Sequence, residues 1–372
     1  MKIALVGGHL TPALALIDYC QANHPEDELV FFGRLFARTS SKQPAHERDE
    51  VFKRQVAFIP FNSGKIYNQP LLPLLKNLIL LLVSLPKALV LLIKHRPDVL
   101  VSFGSYLAVP MALAAWLLRI PVVTHEQTQT TGLANKIIAL FAQTVAVSHK
   151  NSLVHFPKKK TFLTGPLIRD QVMAEQQLIP SWINPKNQKP IIYITGGSQG
   201  SEIINCTVAQ ALLQLTQKWF VIHQCGSKSD QRDYYKELIN ASKKLSSGQK
   251  AQYVVFEWLS EKELAWIFKN ASLVVARAGA NTTVELSFHA VPSVLIPLPF
   301  SNNHEQLKNA QSLAQAGGAV ILEQKNLNAK KLIETIEVVM TQKTQMKQAL
   351  NKIKPKLGLK SVYNLIRDAG KN

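Results

Sequence analysis

Four segments of this chain each follow a short apolar run and carry residue types suited to phosphate or proton chemistry. The first is Val6-Gly7-Gly8-His9-Leu10-Thr11-Pro12. Gly7 and Gly8 allow a tight turn against a bound group, and Pro12 suits the first turn of a helix. His9 brings an imidazole, the side chain most often used to take a proton. The second, Gly196-Gly197-Ser198-Gln199-Gly200-Ser201, sits between an apolar run and a helical stretch, where backbone N–H groups are free to meet a phosphate. Each glycine loop also reads as an ordinary tight turn between strand and helix. The third runs from Arg277 through Ala278, Gly279, Ala280, Asn281, Thr282, Thr283 and Val284 to Glu285. A helix starting there favours an anion, and Glu285, a turn inside, can accept both hydroxyls of a ribose. The plain alternative is an acid in the first turns of a helix, stabilising it by about 0.3–1 kcal/mol. The fourth places His125 and Glu126 side by side before Gln127 and Thr128, as an acid–base pair or as hydrogen-bonded structural residues.

The elements that must position these loops follow from the apolar runs. KIALVG, ELVFFG, VAFIPF, DVLVSFG, PVVTHE and TVAVS in the first half read as buried parallel strands rather than half-exposed alternating ones. PIIYITGG, FVIHQC, YVVFEWL, LVVARAG, SVLIPLP and AVILE repeat the style in the second half. With helical stretches between them, they predict an α/β fold of two doubly wound parallel-sheet domains, in which ligands bind beyond the carboxyl ends of the strands. A length of 372 residues also suits two domains. Residues 174–189, with Pro180, Pro185 and Asn187, have the character of a surface connection, and residues 163–169 that of the crossover. Residues 71–93, LLPLLKNLILLLVSLPKALVLLI, are nearly all apolar, but Lys76, Asn77, Pro86 and Lys87 interrupt them. A spanning helix needs about 20 apolar residues in a row. The segment therefore reads as a core helix or as one lying in a membrane interface, where Lys76, Lys87, Lys94 and Arg96 would face anionic lipid.

Composition narrows the function classes. Three scattered cysteines, Cys20, Cys206 and Cys225, exclude a disulfide framework and a thiolate zinc site and fit a reducing compartment. The apolar run after Met1 stops at Gly7, too short for a signal peptide. Against 24 Asp and Glu stand 43 Lys and Arg, a net charge of +19 that attracts phosphates, nucleic acid or anionic lipid. No helix-turn-helix, finger or RNP-type segment supports nucleic acid as the partner.

Taken together and in order, these segments resemble the inverting N-acetylglucosaminyltransferases that make lipid II in peptidoglycan synthesis, the MurG family. The similarity runs nearly end to end. It includes Gly7-Gly8-His9 with Pro12, Tyr106 in FGSYLAVP, and His125-Glu126-Gln127 with Gly132-Leu133-Ala134-Asn135-Lys136. Gly165 with Arg169, GGSQGS, RAGANTTVE, and Gln306 with Asn309-Ala310 complete it. The resemblance implies the GT-B fold, two Rossmann-like domains facing a cleft. The first, residues 1–165 plus 354–372, takes the acceptor and the membrane, with a C-terminal helix over 362–369. The second, residues 166–353, takes UDP-N-acetylglucosamine.

Role by role, the resemblance implies Ser198 and Gln199 on the diphosphate, Arg169 near the nucleotide, and Glu285 on the ribose. Ala280, Asn281, Thr282, Thr283 and Val284 would face phosphates and sugar, Gln306 and Asn309 the sugar side, and residues 256–259 the uracil. Gly7, Gly8, Tyr106, Thr128 and Asn135 would serve the acceptor, an N-acetylmuramyl-peptide on a polyprenyl pyrophosphate. His9 is the first choice of base, and His125 with Glu126 the second. No metal or other cofactor is implied, since no Asp-x-Asp stands at a strand end. The enzyme would work peripherally on the cytoplasmic face of the cell membrane, in cell wall biogenesis and hence in cell shape and division. The chain departs from the family in its first loop, which is shorter than the family's G-G-T-G-G-H, in Thr128 where the family has Asn, and in Ala278 where it has Ser. These departures leave another lipid acceptor, or a UDP-N-acetylglucosamine 2-epimerase-like reaction, as the alternatives.

Overall fold

The computed structural model describes residues 1–35, 46–63, 71–169, 172, 179–184, 187–227, 232–301 and 304–371, with backbone alone for 46 and 71–82. The chain forms two compact units, Met1–Asp170 with Lys356–Asn372, and Gln171–Pro355.

In the first unit the strands are β1 (Lys2–Gly7), β2 (Glu28–Gly33), β3 (Ala57–Pro60), β4 (Val99–Phe103), β5 (Val122–Glu126), β6 (Thr144–Val147) and β7 (Thr161–Leu163). Helices α1 (Leu10–Asn23), α2 (His46–Lys53), α3 (Leu71–His95), α4 (Ala108–Leu117) and α5 (Leu133–Phe141) lie between them. All pairings are parallel, in the order β3-β2-β1-β4-β5-β6-β7. Such strands are covered on both faces by their crossover helices, which is why β4 and β5 are buried at every position. Strand order reverses between β1 and β4, and there Gly7 is in register with Phe103. That is the crevice where open α/β sheets bind ligands.

The second unit repeats the plan with β8 (Ile191–Thr195), β9 (Phe220–Gln224), β10 (Tyr253–Phe256), β11 (Leu273–Ala276), β12 (Ser293–Leu295) and β13 (Ala319–Ile321). Its order is β10-β9-β8-β11-β12-β13. Its helices are α6 (Glu202–Lys218), α7 (Tyr234–Ser242), α8 (Ser247–Lys250), α9 (Glu261–Asn270), α10 (Ala280–Phe288), α11 (Glu305–Gln315) and α12 (Ala329–Lys352). The reversal falls between β8 and β11, with Thr195 opposite Ala276, so the second and third glycine segments emerge side by side.

The last helix, α13 (Leu359–Gly370), belongs to the first unit. It buries Leu359, Val362, Tyr363, Ile366 and Ala369, apolar positions recurring at helical spacing. Tyr363 stacks on His24 with centroids 3.8 Å apart and donates a 2.7 Å hydrogen bond to Asp27, which also pairs with the Met1 amine at 3.0 Å. The returning chain passes so close to Gly165 that a Cβ there would lie 2.0 Å from the Lys356 carbonyl oxygen, and Gly165 sits at φ +97°. Only glycine fits both conditions.

The apolar runs named in the sequence all form strands. The sequence reading missed β7: its three residues follow three lysines, and Phe162 and Leu163 are 45% and 44% exposed, so no buried run marks it. Of the expected connection, residues 174–178 and 185–186 lie outside the described residues, while Trp182 donates to Glu263 at 2.8 Å. Residues 71–93 fall within α3, and among the described residues no helix is long and apolar enough to cross a membrane. Ala88 and Leu92 are buried beneath α3, whereas Val83, Val90 and Ile93 are exposed.

Candidate functional site

At the switch point of the first unit, Gly8 packs so tightly that a Cβ would lie 2.2 Å from the Cβ of Ser105, which itself has φ +70°. A Cβ on Gly7 would meet that of Phe103 at 2.7 Å. His9 follows as the N-cap residue of α1, half-buried, with Nδ1 3.0 Å from the Phe103 carbonyl oxygen. A carbonyl only accepts, so Nδ1 carries the proton of the neutral ring and Nε2 keeps the lone pair. Nearby, Tyr106 accepts a hydrogen bond from Arg34 Nη1 at 3.0 Å, with the guanidinium 5.7 Å from its ring centroid. Arg34 lies in no recognisable motif, and sequence reasoning passed over it.

The residues around β5 are turned inward. His125 is 1% exposed, with Nε2 3.1 Å from Ser148 Oγ, and burial pushes its pKa down to about 3, so it is neutral. Glu126, 2% exposed, accepts from Thr128 N (3.0 Å), Thr128 Oγ1 (2.7 Å), Asn135 Nδ2 (2.9 Å) and Gly132 N (3.3 Å). Four donors fill the lone-pair sites of one carboxylate. Glu126, Thr128 and Asn135 therefore form a closed brace that fixes the end of β5 to the start of α5. Gln127 clamps the crossover, donating to the Leu167 carbonyl at 3.3 Å and accepting from Leu167 N at 3.2 Å, two residues before the half-buried Arg169.

In the second unit the two glycine segments border a cavity of about 590 Å³, within the range that holds a nucleotide-sized ligand. Of the expected residues, Ser198, Gln199, Thr282 and Gln306 line it. Gly197 and Gly200 have φ of +87° and +73°, and a Cβ on Gly200 would lie 2.0 Å from the Cys225 carbonyl oxygen, so the loop is glycine-dependent. Ser201 and Gly279 are the N-caps of α6 and α10, and neither makes a side-chain cap, which leaves first-turn N–H groups of both helices available to an anion.

The remaining expected residues lie off the cavity lining. Ala280, Asn281 and Val284 are in α10, and Thr283 back-bonds to the Gly279 and Ala280 carbonyls at 3.1 and 3.0 Å. Glu285 is buried on the same helix, 7% exposed. Asn309 is buried and donates to the Ala278 carbonyl at 3.1 Å. Within 256–259, Phe256 packs against Trp182 with centroids 4.9 Å apart, Leu259 is in the core, and Trp258 is exposed. Among the described residues no cluster of His, Cys, Asp and Glu could hold a metal ion.

Residues 6–147 match the glycosyltransferase family 28 N-terminal domain, and residues 191–365 its C-terminal domain. The UDP-N-acetylglucosamine--N-acetylmuramyl-(pentapeptide) pyrophosphoryl-undecaprenol N-acetylglucosamine transferase 2 of Bacillus cereus is 31% identical to this chain over 99% of each. The chain belongs to glycosyltransferase family 28. Among solved structures, MurG of Acinetobacter baumannii superposes on this family 28 glycosyltransferase with a TM-score of 0.69 at 23% identity, covering 99% of both chains. A UDP-GlcNAc 2-epimerase from Neisseria meningitidis, bound to UDP-GlcNAc, reaches 0.64 at 14% identity over all of both chains. At such identities the likeness is one of fold, the two-domain GT-B fold that transferases and epimerases share. Sequence identity over the full length places this family 28 enzyme with the transferases.

Proposed function

We propose that this glycosyltransferase moves N-acetylglucosamine from UDP-N-acetylglucosamine to the muramyl hydroxyl of an N-acetylmuramyl-peptide carried on a polyprenyl pyrophosphate, converting lipid I to lipid II for the cell wall that sets cell shape and permits division. The cavity of the second unit supports the donor half: glycine loops and two helix N-termini without side-chain caps suit a diphosphate. Ser198, Gln199, Thr282 and Gln306 line it, and Glu285, on the helix that begins there, takes the ribose. In the first unit, Gly7, Gly8 and Tyr106 serve the acceptor, Arg169 approaches the nucleotide, and His9 is the base. The acceptor oxygen attacks the anomeric carbon with inversion and its proton passes to His9 Nε2. The bond from carbon to the β-phosphate oxygen breaks, and its electron pair leaves with UDP. His125 and Glu126, buried and internally bonded, hold β5 rather than touch substrate.

The acceptor's lipid tail requires a membrane, and the first unit offers a surface for one at the cytoplasmic face. Helices α3, α4 and α5 pack side by side and leave Val83, Val90, Ile93, Trp116, Leu117 and Leu140 exposed, with Lys87, Lys94, Arg96, Arg119 and Lys136 exposed on the same elements or at their ends. Apolar groups rimmed by cations suit an interface over anionic lipid.

The test is incubation of the purified protein with UDP-N-acetylglucosamine, with and without lipid I. UDP and a disaccharide-lipid formed only in the presence of lipid I support the transferase. A 2-epimer of the sugar nucleotide formed without acceptor would replace it with the epimerase reading.

A further inference from the structure

The sheet order of the first unit places β1 between β2 and β4, and one side-chain hydrogen bond crosses the carboxyl end of β1. Arg34, directly after β2, donates from Nη1 to the Oη of Tyr106, which follows β4. Phe32 is in register with Val6 and Phe103 with Gly7, so this bridge stands at the Gly7-Gly8 turn. Tyr106 meets the guanidinium with its ring as well as its hydroxyl, and both contacts are neutral. Arg34 is half-buried, makes no ion pair among the described residues, and has its Nε buried without a hydrogen-bond partner. Glu47 feels its charge but does not compensate it. That carboxyl is 8% exposed, its Oε1 has no partner, and burial lifts its pKa to about 7 against the pull of Arg34. Elsewhere the chain treats a buried guanidinium differently: Arg54 is bound to both Asp18 and Glu50. Partly desolvated charges are normally paired, so Arg34 is a fixed cation short of an anion.

We propose that Arg34, fixed over the end of β1 by Tyr106, is the side chain that binds the acceptor's pyrophosphate, and that Tyr106 is its positioning residue. The inference rests on the acceptor reading above. The turn beneath Arg34 has little of its own to offer an anion. Only Gly8 and His9 separate β1 from α1, and Pro12 removes one of the four N–H groups that the start of a helix leaves free. A cation from the neighbouring strand supplies what the backbone lacks. The chemistry of the acceptor agrees with the placement. Its pyrophosphate and its reacting hydroxyl sit at opposite ends of one sugar ring, so the group that holds the first must stand close to the base that serves the second, and Arg34 stands at the turn that carries His9. A planar fork suits the task better than an ammonium, since it can keep Tyr106 on one edge while presenting donors to phosphate oxygens on another.

The experiment measures initial rates for the parent, Arg34→Gln, Arg34→Lys, Tyr106→Phe and the double variant Arg34→Gln/Tyr106→Phe, with UDP affinity and melting temperature recorded for each. The acceptors are lipid I and lipid I with its peptide carboxylates amidated. Loss of a charged hydrogen-bonded contact predicts that Arg34→Gln raises KM for lipid I about 10- to 100-fold, with kcat and UDP affinity within about 3-fold of the parent. Arg34→Lys keeps the charge without the fork and should fall between the two. Tyr106→Phe should raise KM about 2- to 10-fold in the parent and have little further effect in Arg34→Gln, because it acts through the guanidinium. Amidated lipid I should give the same ratio of variant to parent KM. A KM within about 3-fold of the parent, or a fall in kcat alone, would show that Arg34 only braces the turn and overturn the proposal. A KM ratio that collapses with the amidated acceptor would overturn it too, moving the contact to the peptide. If Gln prevents folding, Arg34→Lys and Tyr106→Phe decide by the same KM and amidation ratios. Absence of transfer to lipid I by the parent would sink the acceptor reading instead.

Discussion

His9 depends on one carbonyl for its role. Phe103 O fixes the tautomer, so Nε2 is the atom able to take a proton, and the loss of His9 should act on the transition state far more than on ground-state donor binding. His9→Ala should lower turnover by about 10²- to 10⁴-fold while leaving UDP affinity within a few-fold. Turnover, UDP affinity and melting temperature measured on that one variant separate a base from a residue that only braces the turn; near-parental turnover would remove His9 from the mechanism. Asn135 makes the opposite case. Its Nδ2 donates to the buried Glu126 carboxylate and its Oδ1 accepts from Thr124 Oγ1 at 3.0 Å. Asn135→Leu leaves Glu126 Oε2 with only the longer 3.3 Å bond from Gly132 N and should cost about 1–3 kcal/mol of stability. The readout is a lower denaturation midpoint with UDP affinity of the second unit intact. At this scale the sequence reveals what chain-local pattern reveals. His9 stands in a glycine loop and could be named from it. Arg34 meets Tyr106 across 72 positions and Arg277 meets Ser201 across 76, and no local spacing marks either contact.

The strands were legible because each is a short continuous run of Val, Ile, Leu and Phe, the pattern demanded by burial on both faces, and the helices followed as the crossovers between parallel neighbours. The place of the glycine loops was legible for the same reason: glycines after such a run fall at the carboxyl edge of the sheet. β7 was not, since its half-exposed residues carry no burial signal. Nor did sequence distinguish an exposed functional carboxylate from an internal one, as Glu126 illustrates, because burial depends on residues far along the chain. The helix α3 lies between these cases. Its apolar composition was plain, but only packing shows that Ala88 and Leu92 face the core while Val83, Val90 and Ile93 do not. We expect the combined variant Val83→Glu, Val90→Glu and Ile93→Glu to lose binding to vesicles containing anionic lipid in a flotation assay, with its melting temperature close to the parent's because these side chains are already in water. The basic residues nearby contribute about 1 kcal/mol each at the lipid surface, screened by salt, so parental binding should weaken but persist in high salt. Vesicle binding by the triple variant equal to the parent's would assign the contact to another surface.

Across the whole molecule, the net charge of +19 grows as histidines are protonated, and the structure decides which of them resist. Burial pushes His125 and His223 down to about 3 and His289 to about 4, and lowers His95 and His149 in the same direction. His223 is locked between Tyr253 Oη at 3.0 Å and Asn205 Oδ1 at 3.1 Å; Asn205 in turn donates to the Cys225 carbonyl behind the Gly200 turn, so this acid-sensitive network lies under the second glycine loop. The unfolded chain protonates these histidines near their ordinary pKa and the folded chain resists it, so unfolding takes up protons and stability falls as pH drops below about 6.5, by up to about 1.4 kcal/mol per pH unit for each of His125, His223 and His289. Glu47 opposes this trend. Burial raises its pKa to about 7, so the folded state keeps it protonated where the unfolded state ionises it, and its contribution weakens the fold as pH rises from about 4.5 to 7. The histidines outnumber it, and the melting temperature of the parent should therefore fall between pH 7 and pH 5. Glu47→Gln removes the opposing group, so this variant should exceed the parent in stability at pH 7, lose that advantage toward pH 4.5, and show a steeper acid decline between them. Thermal unfolding of both proteins at pH 7, 6 and 5 checks the sign: a parent that gains stability on acidification would mean that these histidines open to water and titrate in the folded state.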